Sequence, residues 1–551
     1  MIKNLFNTKT QRHKGILTGI ILCVFVSLCS VNTSAQVRVN MSSDSPLRKL
    51  QIAELAISNL YVDSVDEAKL VEDGIRGMLE KLDPHSSYST PKEVKQMNEP
   101  LQGNFEGIGV QFNMVEDTLL VIQTVSGGPS EKMGILAGDR IVSVNDTAIA
   151  GVKMSREEIM RRLRGPKGTK VMLGIVRPGI RDTLSFRIIR DKIPVHSIDA
   201  TYMLRPEVGY IRIGNFGATT HDEFCESLRS LLRQGMKSLV LDLQENGGGY
   251  LHAAVQIANE FLQREDLIVY TEGRKTPRIE YRAEGGGLFP AAPISQHASP
   301  KLVILVDSYT ASAAEIVSGA VQDHDRGIIV GRRTYGKGLV QRPIDLPDGS
   351  MIRLTVAHYY TPSGRCIQKP YEKGNKKDYA MDIANRLKSG ELMSADSVHF
   401  ADSLKYYTLR QHRLVYGGGG IMPDIFVPLD TTKYTKYHRE LAAKSILITQ
   451  NLRYVDSHRQ QLRHDYASFA DFRQRFEVPQ QLLDAIFAEG EKQNVRPHDE
   501  DERLKTLPFL RLQLKALIAR DLWTMNEYFA IINEQNDVVL KALELLSHST
   551  P

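Results

Sequence analysis

The chain has 551 residues, of which 42% are hydrophobic and 25% are charged, and its formal net charge is +5. At roughly 150 residues per domain, this length predicts three or four domains. The composition excludes a disordered or fibrous protein, since both fractions are ordinary for globular chains.

The first 35 residues have the three-part pattern of a secretory signal peptide. The start contains no acidic residue and four basic ones, Lys3, Lys9, Arg12 and Lys14. An apolar run follows at 16–29, and small residues at 33–35 suit cleavage after Ala35. The apolar run is short for a membrane span of roughly 20 residues, which favours cleavage and export, to a periplasm, over a retained membrane anchor. Cleavage would leave a net charge of +1, which argues against nucleic acid as the main partner. Cys225 and Cys366 would remain, and the sequence leaves open whether they pair.

Two stretches of different character follow. Residues 47–98 carry apolar residues at three- and four-residue spacing, which predicts helices. From residue 103 to 190 short strands alternate with glycine turns. They are interrupted by one helix, whose start is predicted by a capping box of Ser155 and Glu158. Ile159, Met160 and Leu163 form the apolar face of that helix, which would either line a pocket or belong to the core.

From residue 208 to about 428, buried strands alternate with helices. This order predicts an α/β core with crossover helices. The polar residues 372–413 interrupt the order and are interpreted as an insertion. Beyond residue 431 the chain is predicted to be helical, without a motif that indicates a function.

Three places in this core could carry chemistry. Ser312 opens a helix after an apolar strand, where unpaired N–H groups can stabilise an oxyanion, although serine is also a common helix cap. Lys337 lies between two glycines, and it can activate a hydroxyl only if burial keeps it neutral. On the surface it would be an ordinary exposed lysine. Residues 246–249, Asn-Gly-Gly-Gly, end a strand and could aim N–H groups at a carbonyl oxygen, or form a simple turn.

Other kinds of site fit less well. Residues 331–337 match the start of a nucleotide-binding loop, but Gly338 stands where Ser or Thr is required and strands follow where a helix is required. A Ser–His–Asp hydrolase could use His252, His324 or His358, but there is no G-x-S-x-G elbow. No zinc-ligand spacing and no H-E-x-x-H motif occurs. We therefore expect neither a metal nor another cofactor.

Together these features resemble the C-terminal processing peptidases, also called tail-specific proteases. In that family the nucleophile lies in an S-A-x-E stretch, seen here at 312–315. The lysine lies in a G-K-G stretch about 25 residues later, seen at 336–338. The resemblance covers roughly residues 45–430. It implies a multidomain α/β protein with a ClpP/crotonase-like protease core, a preceding or inserted PDZ domain, and helical N- and C-terminal segments.

The resemblance also implies boundaries and roles. The expected divisions are a signal peptide (1–35), a helical segment (45–100), a PDZ domain (101–190), a peptidase core (191–430) with an insertion at about 370–415, and a helical C-terminal region (431–551). Ser312 would be the nucleophile and Lys337 its base, and Gln341, one helical turn later, would orient the lysine. The N–H groups of Ala313 and Gly248 would form the oxyanion hole. The PDZ domain would bind substrate through a carboxylate-binding loop and a side-chain pocket. The loop would be Gly107, Ile108, Gly109 and Val110, and the pocket would include Ile159 and Leu163.

The expected function is that of a serine endopeptidase that recognises substrate C-termini and processes or degrades exported proteins. Its partners would be proteins or peptides with free C-termini. The helical C-terminal region could form a homo-oligomer, cover the site or bind an adaptor. The alternative is a non-catalytic PDZ scaffold with an inert core, and the presence of both Ser312 and Lys337 weighs against it.

Overall fold

The computed structural model describes residues 45–290 and 300–547, so the predicted signal peptide lies outside the described residues. The chain divides into two compact units, Met1–Ile75 and Arg76–Pro551. Across the described ranges, every helix is too short or too polar to cross a bilayer.

The first unit contains helix α1, Pro46–Leu60, and the start of helix α2, Glu67–Glu80. Ser45 caps α1 by accepting a hydrogen bond from the Leu47 N–H at 3.3 Å, and a proline occupies the first turn. None of the residues of α1 is buried.

The glycine-rich region forms an antiparallel sheet beside a helix, with strand order β3-β4-β5-β7-β8. Its elements, with the short strand and helix before them, are β1 Ser87–Ser89, α3 Pro91–Leu101, β2 Asn104–Gly107, β3 Val110–Val115, β4 Thr118–Thr124, α4 Pro129–Lys132, β5 Arg140–Val144, β6 Thr147–Ala148, α5 Arg156–Leu163, β7 Lys170–Val176, β8 Leu184–Ile189 and β9 Asp191–Pro194. Strand β3 is at the edge of this sheet, so one side of its backbone faces the groove beside α5. Strand β2 pairs with β9 and closes the region where it joins the rest of the chain.

The predicted capping box of α5 is half formed. The Glu158 N–H donates to Ser155 Oγ at 3.2 Å, as predicted. The Glu158 carboxylate instead pairs with Arg161 at 2.7 Å and Arg162 at 3.1 Å. Two nearby guanidinium groups therefore outcompete the backbone N–H of the cap.

The predicted α/β core is present as a six-stranded sheet of order β10-β11-β12-β15-β16-β21, parallel except for the β10–β11 pair. Its strands and the helices between them are β10 Ile198–Arg205, β11 Val208–Ile213, α6 Thr220–Arg233, β12 Ser238–Asp242, α7 Leu251–Asn259, β15 Lys301–Val306, α8 Ala313–Asp323, β16 Ile328–Gly331 and β21 Ile425–Phe426. Both faces of the central strands are buried, which explains their nearly continuous apolar runs. Side chains such as Leu241 and Ile304 meet α6, α7 and α8, and those such as Val240 and Val303 pack in a second cluster.

A second sheet, of order β1-β18-β13-β14 with β17 added to β18, lies next to the core. Its further strands and the elements of the expected insertion are β13 Leu267–Gly273, β14 Thr276–Arg282, β17 Leu339–Asp345, β18 Met351–Tyr360, α9 Lys376–Ala380, α10 Asp382–Lys388, β19 Lys405–Tyr407 and β20 Leu414–Tyr416. The insertion is tied to the core, because the buried Arg386 donates to the Thr334 carbonyl at 2.8 Å.

The C-terminal region consists of helices, as predicted: α11 Lys436–Ala443, α12 Ile446–Asp465, α13 Phe469–Arg475, α14 Gln480–Lys492, α15 Glu500–Leu522, α16 Met525–Ile532 and α17 Asp537–Ser547. Helices α11 to α16 share a hydrophobic cluster of their own. Val538 and Val539 of α17 pack against the core sheet. Leu452 of α12 packs against Leu120 of the glycine-rich sheet, and Asp456 pairs with Arg140 beside it.

Candidate active site

The three sequence features selected for their chemistry meet at the carboxyl edge of the core sheet. Residues 243–250, 307–312 and 332–338 each follow a parallel strand, β12, β15 and β16. The carboxyl ends of parallel strands are the usual place for ligands in open α/β sheets. Ser312, Lys337, Ala313, Gly248 and Gln341 all line one cavity of about 610 Å³.

Ser312 precedes α8 in a conformation that L-residues rarely adopt, with φ 58° and ψ −115°. Positive φ costs a non-glycine residue free energy and persists only where the surroundings enforce it. The Ser312 N–H donates to Glu315 Oε2 at 2.7 Å, and its carbonyl accepts from the Glu315 N–H at 2.9 Å. Ser312 therefore occupies the N-cap position of α8 and at the same time lines the cavity.

Lys337 is partly buried in the wall of the cavity. Burial lowers the pKa of its ammonium, and the nearby charge of Arg353 lowers it further, while Glu315 opposes the change. A lowered pKa increases the neutral fraction of an amine near neutral pH, and only the neutral amine can accept a proton.

Glu315 contacts both Ser312 and Lys337, and the sequence analysis assigned it no role. It is fully buried, and its carboxylate accepts four hydrogen bonds. The Ser312 and Lys337 N–H groups lie 2.7 and 2.9 Å from Oε2, and the Gly336 N–H and the Thr334 hydroxyl lie 2.8 and 2.5 Å from Oε1. Burial raises the pKa of Glu315 and these donors oppose the rise. One carboxylate thus holds the main chain of both Ser312 and Lys337.

Tyr359 of β18 provides a second such link. Its buried hydroxyl donates to the Ser312 carbonyl at 3.1 Å and contacts the Lys337 carbonyl. Burial raises the pKa of Tyr359 well above its usual value, so the phenol remains a donor. A sequence signal existed for Glu315, because a lone charge inside the apolar run 313–317 must find partners if it is buried. No comparable signal marks Tyr359 among the aromatic residues of its strand.

The glycine turn packs directly on Ser312. A Cβ added at Gly248 would lie 2.7 Å from Ser312 Cβ and 3.0 Å from the Ala313 nitrogen, and Gly248 has φ +96°, so only glycine fits. Its N–H, however, donates to Asn246 Oδ1 at 2.8 Å. The predicted oxyanion donor Gly248 is therefore already engaged in this structure, whereas Ala313 heads α8 and lines the cavity.

Gln341 also lines the cavity, but it lies in strand β17 rather than on a helical turn. Its amide donates to the Leu339 carbonyl at 3.1 Å and to Thr355 Oγ1 at 3.3 Å. The extended backbone separates residues 337 and 341 by more than one turn of a helix would. These two hydrogen bonds engage the amide nitrogen of Gln341, and its predicted contact with Lys337 stays a prediction.

A second groove, of about 290 Å³, lies between β3 and α5. Three of the predicted loop residues line it, Ile108, Gly109 and Val110, together with Leu163. Gly107 pairs with Asp191 in the β2–β9 ribbon.

Two neighbouring residues of α5, Ile159 and Met160, face different surroundings. Ile159, predicted to line the side-chain pocket, is fully buried in the core beneath the sheet, and this prediction is wrong. Met160, one residue further along the helix, lines the groove. The helix is rotated so that its apolar face is divided between the core and the groove.

Arg164, at the end of α5, lines the groove and also contacts residues on other elements. It donates to Glu99 Oε2 at 2.5 Å and stacks over the Phe105 ring at 4.6 Å. Glu99 belongs to α3, whose Asn98 and Leu101 line the cavity that contains Ser312 and Lys337. Arg164 therefore connects the wall of the groove to the wall of the cavity.

Comparisons with protein families divide the chain in a similar way. Residues 207–381 match peptidase family S41, and residues 107–188 match a PDZ domain. Residues 27–92 match the N-terminal domain of the activating protease CtpB, and residues 437–524 match a family of unknown function, DUF8443.

Individual proteins are similar over most of their length. A carboxy-terminal-processing protease of Bartonella bacilliformis is 34% identical over 352 residues, which are 63% of this chain and 78% of that protein. CtpB of Bacillus subtilis, a carboxy-terminal processing protease, is 31% identical over 69% of this chain and 76% of its own. Among solved structures, the photosystem II D1 C-terminal processing protease is 27% identical over 70% of this chain and 87% of its own, with a TM-score of 0.36.

Proposed function

The chain belongs to the C-terminal processing peptidases of family S41, and from this premise we propose that it cleaves peptide bonds with a Ser312–Lys337 dyad. The protein is a serine-type peptidase with a PDZ domain. The observation that supports the proposed dyad is that its two members line the same cavity and bind the same buried carboxylate. Ser312 and Lys337 line one cavity, and Glu315 binds the backbone N–H of each.

In the proposed reaction, neutral Lys337 removes the proton of the Ser312 hydroxyl while Oγ attacks the substrate carbonyl carbon. The Ala313 N–H and an N–H of the glycine turn stabilise the oxyanion. Gly248 remains the proposed turn donor, which requires its N–H to exchange Asn246 for the substrate. As the C–N bond breaks, the Lys337 ammonium gives its proton to the leaving amine.

Deacylation uses the same groups. Lys337 deprotonates a water molecule that attacks the ester carbonyl, and the proton then returns to the Ser312 oxygen as the ester bond breaks. Gln341 would contribute by orienting the lysine amine through its amide oxygen, which can accept from an amine N–H while the amide nitrogen donates to Leu339 and Thr355. The cavity supplies a neutral base, a hydroxyl and N–H donors, and these complete the reaction.

The PDZ groove is proposed to receive the C-terminus of the substrate. A peptide can add to the open edge of β3 as a strand, with its carboxylate at the N–H groups of residues 108–110 and a side chain against Met160. The contact from Arg164 to Glu99 gives such binding a route to the wall of the catalytic cavity. We further propose that the substrates are exported proteins, that residues 1–35 direct export, and that the core has the ClpP/crotonase-like fold.

The same proposal includes the domain boundaries. The family matches at 107–188 and 207–381 support a PDZ domain at 101–190 and a peptidase core at 191–430. The match at 437–524 supports a separate helical region within 431–551.

The test is digestion of a reporter protein with an unstructured C-terminal tail by the wild type, Ser312→Ala and Lys337→Ala. Lys275→Ala, which changes an exposed lysine in the turn between β13 and β14, is the matched control. We expect digestion by the wild type and the control, and none by the dyad variants. Digestion by both dyad variants at the wild-type rate would refute the dyad.

A further inference from the structure

Three potential metal ligands of different chemistry meet outside the catalytic cavity. His221 and Cys225 are four residues apart and so share one face of α6, and Glu260 follows the end of α7. His221 Nε2 lies 2.8 Å from Glu260 Oε1 and 3.4 Å from Cys225 Sγ. The three ligand atoms all lie within 4.8 Å of one another, and no other cluster of three such groups occurs among the residues that the structure describes.

The carboxylate of Glu260 is the shared hydrogen-bond acceptor of this cluster, because both His221 Nε2 and the Cys225 thiol can donate to it. A Cys–His–acid catalytic triad is excluded, because its acid binds the ring nitrogen opposite the one that faces the nucleophile. A cation that replaces the imidazole and thiol protons at this point would be bound by all three groups.

The donor set matches zinc, and the sulfur–nitrogen distance is close to that of a zinc site. Zn²⁺ takes imidazole nitrogen, thiolate sulfur and carboxylate oxygen in tetrahedral sites, and its bond lengths place an S and an N ligand about 3.6 Å apart and an N and an O ligand about 3.3 Å apart. The observed sulfur–nitrogen distance is 3.4 Å. The carboxylate would need to move outward by about half an ångström to reach the same geometry.

The surroundings hold the acidic ligand and leave an opening. Glu260 Oε2, the oxygen that faces away from the histidine, accepts a hydrogen bond from the Leu288 N–H at 2.7 Å, as outer partners of metal-binding carboxylates do. The Glu260 side chain is 6% exposed and that of His221 is 26% exposed. Solvent can therefore supply a fourth ligand beside the histidine.

We propose that His221, Cys225 and Glu260 bind one Zn²⁺ ion, with water as the fourth ligand. The ion would join α6 to the end of α7. The other end of α7 follows the glycine turn that packs on Ser312, so the site would stabilise the framework of the cavity from outside it. The sequence analysis expected no metal because Glu260 lies 35 residues beyond Cys225, and only the packing of α6 on α7 unites them.

The test is anaerobic titration of the metal-free, full-length protein with Co²⁺, followed by Zn²⁺. We expect one equivalent of Co²⁺ to produce visible bands of a four-coordinate ion and a thiolate-to-cobalt charge-transfer band. One equivalent of Zn²⁺ should abolish both. Absence of stoichiometric Co²⁺ uptake by the wild type would overturn the proposal, whatever the peptidase activity.

Variants locate the site. Cys225→Ser should lose the charge-transfer band, and Glu260→Gln should weaken Co²⁺ binding at least tenfold. Cys366→Ser is the matched control, because Cys366 also lies near a histidine, with Sγ 3.8 Å from His358 Nδ1, and it should titrate as the wild type does. Zn²⁺ should raise the thermal unfolding midpoint of the wild type and of Cys366→Ser but not of Cys225→Ser. A charge-transfer band that survives in Cys225→Ser would exclude the site.

Discussion

In the cavity of the proposed dyad, a buried carboxylate and a buried phenol hold the main chain of both proposed catalytic residues, whereas the PDZ groove offers an open strand edge and an apolar wall. Glu315 and Tyr359 each bind Ser312 and Lys337. In the groove, Gly109 and Val110 offer main-chain groups, and Met160 offers an apolar surface. Chemistry at the cavity depends on a few exact side chains, and recognition at the groove is spread over many. Single substitutions should therefore affect the two regions very differently.

The largest expected effect is that of Lys337→Met, which removes the amine but keeps a long apolar stem. Loss of a positioned general base should lower kcat/KM by about 10⁴-fold. Binding of a tail peptide to the groove, measured by fluorescence anisotropy, should be unchanged. A parallel loss of peptide binding would show that the two regions are not separable in this way.

The next largest effect is expected for Glu315→Gln. An amide offers one acceptor oxygen, so two of the four donors now facing the carboxylate would lose their partner, at a cost of about 1–3 kcal/mol each. We expect denaturant unfolding to show the lost stability and kcat to fall about 10- to 100-fold. Tyr359→Phe removes the other link without adding a mismatched group, and should cost less. Wild-type kcat in Glu315→Gln would contradict the positioning role.

A smaller and more specific effect is expected on the pH profile. In the proposed mechanism Lys337 acts as a neutral base, so kcat/KM should fall as the pH drops through its lowered pKa. Arg353→Gln removes a charge that lowers the Lys337 pKa, so that pKa should rise and the acid limb should move to higher pH. Arg342→Gln, at an exposed position on the neighbouring strand, is the control and should leave the profile in place. Movement to lower pH would reverse the assigned cause.

Arg164→Ala tests the link between the two regions. It removes the contact with Glu99, so activation by substrates with a preferred C-terminus should decrease while the activity on short peptides without that terminus stays constant. Peptidase rates with tailed and untailed substrates measure both. Unchanged dependence on the tail would remove Arg164 from the pathway.

The smallest effect on activity is expected within the groove. Met160→Ala should raise KM for tailed substrates a few-fold and leave kcat unchanged, because the groove distributes binding over several contacts. Ile159→Ala instead removes a fully buried side chain and should cost about 2–5 kcal/mol of stability. Equal changes in KM for the two variants would restore Ile159 to the pocket.

The sequence predicted the family, which the comparisons confirm, and it predicted the alternation of strands and helices in the core. It selected Ser312 and Lys337 because both lie at turns between regular elements, where a helix start or flanking glycines can be recognised from the sequence. It misjudged Ile159 because an apolar helix face looks the same whether it meets a core or a ligand groove. The family resemblance implied a role for Gln341 one helical turn past Lys337, and the structure places Gln341 in strand β17 instead.

What the sequence by itself determined is local: periodicity, turn chemistry and a family pattern follow from residues close along the chain. Only the tertiary structure decided which distant groups meet. Glu315 reaches the Lys337 backbone, Tyr359 reaches Ser312, and Glu260 reaches His221, each across intervening elements. The physical reason is that a buried charge or hydroxyl requires a partner but does not specify where in the chain the partner lies. That choice belongs to the packing of the elements, which bring their ends and faces together.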